Sequence, residues 1–318
     1  MSTPTRNRET NGTQSLVRTL LGDYTWADAG GPIPAGVFTR VLAEFGISDM
    51  AARLALERVA GHGFLMRDMV GRAVLYRLSD WALSHHQERF ARLLGTDTQP
   101  EPWDGQWTLV LASVPEDQRE LRAQLRTRLL AARFARFYDA AWLRPGAAAV
   151  QTARAVLESL NAAEPLQVTV LRAQHEDGFA GRNPLEAYDL DAVAQHYAAF
   201  IKHYSPLVQR AREGQVPTSD ALVRRTQLMD AWRSAVRSDP LLPTELLPAE
   251  FPRDAARALF VEAYDHLGPP AAEQLRRIVR LRRVLRRDAL VACHEVAHEL
   301  LVGGIGQVGA PERAGDDA

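Results

Sequence analysis

Two groups of side chains in this sequence have the types and spacing that do chemistry. The first is a set of arginines and carboxylates: Arg53 and Glu57 one helical turn apart, Arg58 beside them, and Arg67, Arg72 and Arg77 further on. A guanidinium offers paired donors that match guanine O6 and N7, and a glutamate accepts from a cytosine amino group. Arginines that do not reach base edges suit phosphate oxygens, which position a protein without reading sequence. The second group is His294-Glu295-Val296-Ala297-His298, the H-E-x-x-H spacing that puts two imidazoles on one helix face with a glutamate between them. That arrangement serves a zinc-dependent hydrolase, which also needs a third protein ligand. The twenty residues after His298 hold no further histidine, and Glu299 breaks the apolar setting of such a helix. No catalytic residue and no metal site is therefore assigned, and His294 and His298 stand only as the nearest metal candidates.

The arginine set depends on the elements that hold it. Ser48 is suited to cap a helix over 49–60. At 100° per residue, Ala52, Ala55, Leu56 and Val59 share an inner face, while Met50, Arg53, Leu54 and Glu57 look outward with Arg58 on the flank. Gly61 and Gly63 end the helical pattern, and two short runs, 64–69 and 73–78, are joined around Val70-Gly71 as a hairpin carrying Arg67, Arg72 and Arg77. Two earlier helices are expected over 15–21 and 35–45, the second entered through Pro34. Helices, break and hairpin in that order build a winged helix-turn-helix, whose second motif helix enters the major groove. The candidate DNA-binding residues are thus Ser48, Met50, Arg53, Leu54, Glu57, Arg58, Arg67, Arg72 and Arg77. The same module also occurs as a protein-interaction domain, so that reading stays beside the DNA one.

Composition limits the alternatives. The chain has 318 residues and a formal net charge of −1, so any attraction to a phosphate backbone must be local. A single cysteine, Cys293, excludes an internal disulfide framework and fits a reducing compartment. The polar N-terminus lacks the apolar stretch of a signal peptide, and no uncharged run is long enough to cross a bilayer. The expected location is cytoplasmic, with no membrane partner. Neither a phosphate loop nor a dinucleotide fingerprint is present, so no cofactor is expected.

Along the chain, residues 1–12 read as a disordered lead-in and 13–94 as the winged domain, closed by a helix over 81–94. Over 101–185 the pattern is β-α-β-β-α-β: a strand at 107–114, an arginine-rich helix at 116–132 with Leu121, Leu125 and Leu129 inward, strands within 134–143, a helix at 147–160 and a strand at 166–172. This order gives a ferredoxin-like domain with two helices on one face of an antiparallel sheet. Residues 186–302 read as a mostly helical domain. Helices are expected over 190–213, with Pro206 bending or dividing it, then 219–236 and 254–267. An apolar proline-rich loop runs from 239 to 252, and a long basic helix over 271–301 ends the domain. A flexible tail covers 303–318. The fold class is α+β, multidomain.

Several of these segments resemble the PaaX family of bacterial transcriptional regulators. The resemblance rests on Ala52-Arg53-Leu54-Ala55-Leu56-Glu57-Arg58-Val59 with Gly63, and on Val70-Gly71-Arg72 with Leu75-Tyr76-Arg77-Leu78. It continues in Trp103-Asp104-Gly105-Gln106-Trp107, and in Asp239-Pro240-Leu241-Leu242-Pro243 with Leu246-Leu247-Pro248. It covers about residues 13 to 268. It implies a homodimer that binds a palindromic double-stranded operator as a repressor of aromatic catabolism. It also implies release by a CoA thioester such as phenylacetyl-CoA, for whose phosphates Arg119, Arg122 and Arg126 are the candidate ligands. The middle domain would be akin to small CRISPR adaptation nucleases without cutting, since Ala112-Ser113-Val114 offers no aspartate there. Glu57 departs from the small hydroxyl residue common in the family's recognition helix, which implies a different operator preference.

Overall fold

The computed structural model describes residues 4–24, 32–85, 102–160, 167–176 and 181–280. It is a mixed helix-and-sheet structure whose chain divides into two compact units. One comprises Met1–Asp97, Ile201–Arg233 and Arg257–Ala318, the other Thr98–Phe200 and Ser234–Ala256. Three helices, α7 (Leu190–Arg212), α8 (Thr218–Ser238) and α9 (Arg253–His266), each contribute residues to both.

The first unit begins with α1 (Pro4–Tyr24). The lead-in expected to be disordered is thus helical from Pro4. Its polar residues carry no apolar period, but a helix anchored downstream by buried Val17, Leu20 and Leu21 extends upstream at one hydrogen bond per residue. A two-residue strand β1 (Ile33–Pro34) leads into α2 (Ala35–Ala43), followed by α3 (Asp49–Gly61), β2 (Leu65–Val70), β3 (Ala73–Leu78) and α4 (Asp80–Ser84). The remainder of the helix expected over 81–94 lies outside the described residues. The three strands form a sheet in the order β1-β3-β2, all antiparallel, with Ile33 opposite Tyr76 and Leu65 opposite Leu78. Pro34 is tolerated because it stands on the edge strand, where a missing N–H costs no ladder bond.

A polar layer joins α1 to the later helices of this unit. Ser15 Oγ donates to Asp230 Oδ1 at 2.8 Å, and Arg233 Nη1 donates to Thr19 Oγ1 at 2.6 Å. Buried Arg225 donates from Nε to the Tyr264 carbonyl at 3.1 Å, with its guanidinium 3.5 Å over the Tyr264 ring. Helix α10 (Gly268–Arg280) buries Ala271, Leu275, Ile278 and Val279. The basic helix expected to continue from it, and the tail, lie outside the described residues.

The second unit holds β4 (Trp107–Ser113), α5 (Arg119–Ala131), β5 (Ala135–Tyr138), β6 (Ala141–Pro145), α6 (Ala149–Glu158) and β7 (Gln167–Ala173). The strands pair antiparallel in the order β5-β6-β4-β7. Val110, Ala112 and Trp142 face α5 and α6, packing with Leu125, Leu129 and Ala153. On the opposite face Trp107, Ala135 and Leu143 are covered by Trp103, Leu185, Tyr188 and Leu246. Glu116 and Asp117, expected in the first turn of α5, precede it: a turn closed by Gln118 N–H on the Pro115 carbonyl, 3.1 Å, delays the helix to Arg119. Pro206 sits inside α7 without dividing it.

The proline-rich segment of this unit is tied by one carboxylate. Asp239, fully buried, accepts from Tyr197 Oη at 2.7 Å, Arg253 Nε at 2.6 Å, Arg253 Nη2 at 2.7 Å and Leu241 N at 2.7 Å. Burial, then the adjacent Asp239, push the Tyr197 phenol far above its ordinary range, so it stays a neutral donor.

Candidate nucleic-acid interface

The outward face of α3 is fixed at both ends and from behind. Gly46, at φ +73°, takes the left-handed conformation that ends α2, and the chain turns at once into the next helix. Ser48 caps that helix by accepting from Ala51 N at 3.4 Å, so its hydroxyl serves the helix end. Gly63, at φ +74°, releases the chain toward the hairpin. Behind, Ala52, Ala55, Leu56 and Val59 are buried at 2% exposure or less. The two larger of these, Leu56 and Val59, each stabilise the seating of α3 by about 1.5–3 kcal/mol. The outer face is therefore held as a rigid surface.

That surface carries the expected residues. Met50 is 79% exposed and Leu54 44%, and Arg53, Glu57 and Arg58 are exposed beside them. Arg53 is not alone: its Nε donates to Asp49 Oδ2 at 2.7 Å, one turn earlier. The hydrogen bond from Arg53, and next a contribution from the Thr39 hydroxyl on α2, hold the Asp49 carboxyl below its usual value. On the hairpin, Arg67 and Arg72 are exposed, as are Met66, Met69 and Val70. Gly71, at φ +60°, makes the turn between the strands. Arg77 is half-buried and drawn sideways: its Nε lies 3.6 Å from Asp68, its Nη1 3.4 Å from Asp80, and Nη1 donates to the Leu78 carbonyl. It braces the base of the hairpin more than it projects from it.

Tyr76 links helix and hairpin. Its ring is buried edge-on to Phe38, with centroids 6.4 Å apart. Burial pushes its phenol up, Glu57 adds to the shift, and Arg67, hydrogen-bonded to it, and Arg53 oppose it. The charges of Arg53, Glu57 and Arg67 are thus all felt at the Tyr76 phenol. Asp49 and Tyr76 were not among the candidate DNA-binding residues read from the sequence. The four-residue spacing of Asp49 and Arg53 is a signal that would have found the first.

The remaining candidates lie elsewhere. Arg119, Arg122 and Arg126 are exposed on α5, in the second unit. Arg122 is committed locally, donating through Nη2 to the carbonyls of Val114 at 3.0 Å and Pro115 at 3.2 Å. His294, Glu295 and His298 lie outside the described residues. Among the described residues no group of three His, Cys, Asp or Glu is placed to hold a metal ion, and no helix is long and apolar enough to cross a membrane.

Comparison with known proteins places three family models in order along the chain. Residues 12–82 match the PaaX-like protein, 100–183 the PaaX protein central Cas2-like domain, and 188–277 the PaaX-like protein C-terminal domain. The transcriptional repressor PaaX of Escherichia coli (strain K12) is 29% identical over 272 residues, covering 81% of each chain. Among solved structures, the uncharacterized protein Rv0674 from Mycobacterium tuberculosis is similar in fold. It has a TM-score of 0.51 and 22% identity, covering 81% of this chain and 96% of that one.

Proposed function

We propose, from the premise that this chain belongs to the PaaX family, that it is a transcriptional repressor, not an enzyme, and that it reads DNA with the outer face of α3. The observation that carries this is the exposed Arg53 on a helix whose other face is fully buried, flanked by a hairpin bearing Arg67 and Arg72. The sequence of α1, α2, α3 and hairpin supports a winged helix-turn-helix, with α3 in the major groove and the hairpin along the backbone. The strand order β5-β6-β4-β7 with β-α-β-β-α-β connectivity supports a ferredoxin-like middle domain.

On this reading the protein acts in the cytoplasm as a homodimer on a palindromic operator, and an acyl-CoA such as phenylacetyl-CoA releases it. Arg119 and Arg126 offer their guanidinium groups to the phosphates of that effector, with Arg122 holding the loop that precedes their helix. An effector shifts such an equilibrium only by its different affinity for the DNA-competent and released arrangements. Titration of the full chain against the duplex flanking its own gene, with and without a panel of acyl-CoAs, tests the whole proposal. Arg53→Ala is expected to weaken specific binding about tenfold or more. Equal affinity of wild type and variant for that duplex would remove Arg53 from base reading.

A protein-docking role has one observation in its favour, the exposed apolar side chains of Met50 and Leu54 on α3 and of Met66, Met69 and Val70 on the hairpin. It would replace the DNA reading if the full chain showed no preference for its own flanking duplex over unrelated DNA at any salt concentration.

A further inference from the structure

The geometry of Arg53 specifies more than its exposure. A guanidinium carries its donors in one plane, with Nε on one edge and the two Nη groups at the end. Here Nε is already taken, donating to Asp49 Oδ2 at 2.7 Å. The side-on pairing that combines Nε with one Nη is therefore closed, and only the end-on pair of Nη groups is left for an incoming acceptor pair. Asp49 is itself held in place. It is the first residue of α3, directly after the Ser48 cap, where the helix dipole favours a negative charge. The Thr39 hydroxyl, buried on α2, also stabilises its anion.

An exposed ion pair of this kind, with side-chain exposures of 55% and 61%, adds little to fold stability, since water screens it. Its effect lies in orientation, because it removes rotamers from a long side chain before a partner arrives. A carboxylate on a surface that approaches phosphates also repels them, so its presence lowers bulk affinity for DNA.

We propose that Asp49 is a positioning residue for base recognition: it fixes Arg53 so that both Nη groups meet O6 and N7 of one guanine in the major groove. Asp49 thereby sets selectivity at a base pair it does not touch, at some cost in general affinity. The proposal rests on the DNA-reading role of α3 given above.

The test uses the full chain in fluorescence anisotropy at fixed salt. The probes are the duplex flanking its own gene and the same duplex with its guanines replaced one at a time by 7-deazaguanine, which lacks the N7 acceptor. For the wild-type chain one such replacement in each half-site is expected to weaken binding about tenfold. Arg53→Ala should be indifferent to it. In Asp49→Ala and Asp49→Asn the discrimination should shrink toward that of Arg53→Ala, while affinity for unrelated duplex rises. The double variant should discriminate no worse than Arg53→Ala alone. Asp49→Asn keeps a residue well suited to a helix start, and a circular-dichroism melt confirms that each variant is folded. Full tenfold discrimination in a folded Asp49→Asn chain would overturn the proposal and leave Asp49 a helix-end charge. Discrimination retained in Arg53→Ala would overturn it by a different route, by removing Arg53 as the reader.

Discussion

The Asp239 knot makes the sharpest demand on stability. Asp239→Ala deletes a side chain with no solvent exposure that accepts four hydrogen bonds, and it strands Arg253, whose side chain is 14% exposed, together with the Tyr197 hydroxyl. Removing one partner of a buried pair costs about 3–5 kcal/mol, most of it the desolvation of the charge left behind. Arg253 also donates through Nη1 to the Leu242 carbonyl at 2.9 Å, so its displacement loosens the segment that follows. Equilibrium urea denaturation followed by tryptophan fluorescence suits this unit, which contains Trp103, Trp107 and Trp142. At a slope of roughly 2 kcal/mol per molar, the midpoint should fall by about 2 M. The pair Asp239→Leu with Arg253→Met should recover part of that loss, because it leaves neither charge unpaired. A midpoint within about 0.5 M of wild type for Asp239→Ala would refute the argument, as would a double variant whose loss equals the sum of the two single losses.

Three further outcomes follow from other parts of the structure. Burial pushes the Asp23 carboxyl up to about 6 against the opposing Arg225 and Arg233, so the folded form holds this proton more tightly than the unfolded chain does. Its contribution to stability is present below the ordinary carboxylate value and lost as pH rises through about 6, so Asp23→Asn should gain on wild type across that window by up to about 3 kcal/mol in urea titrations at each pH. Ser48→Ala should lower stability by about 1 kcal/mol through loss of the α3 cap, measured by thermal denaturation, whereas Ser48→Gly should lose only a few tenths. Gly71→Val has open space for its side chain but the wrong backbone angle, so it should destabilise the hairpin by about 1–2 kcal/mol; hydrogen exchange of β2 and β3 amides reads that loss directly.

What the sequence disclosed was local, and what it hid was long-range. Ser48 and the break at Gly61-His62-Gly63 marked α3 within a residue, and the glycine at 71 marked the hairpin turn, because caps and turns are chemistry between near neighbours. The inward period of Leu125 and Leu129 on α5 likewise followed from helix geometry alone. Strand β1 was invisible: two residues, one of them proline, carry no alternation, and they become a strand only because β3 offers an edge more than forty positions later. Asp239 had no visible partner for a similar reason, since Tyr197 and Arg253 reach it from separate helices. Arg77 was placed within reach of phosphates from its type and position; its pairing with Asp68 and Asp80 needed the folded hairpin to show it. For the face of α3, spacing told which residues look outward, but not that the Arg53 Nε is held by Asp49.

The stretch from Ser48 to Asp80 carries five arginines against four carboxylates, an almost balanced charge for a surface proposed to meet DNA. Such a surface displaces few counterions, so the protein would adhere only loosely to arbitrary chromosomal sequence. A regulator that is not soaked up by the bulk genome keeps most of its molecules available to search. A modest cellular copy number would then suffice to occupy a single control site.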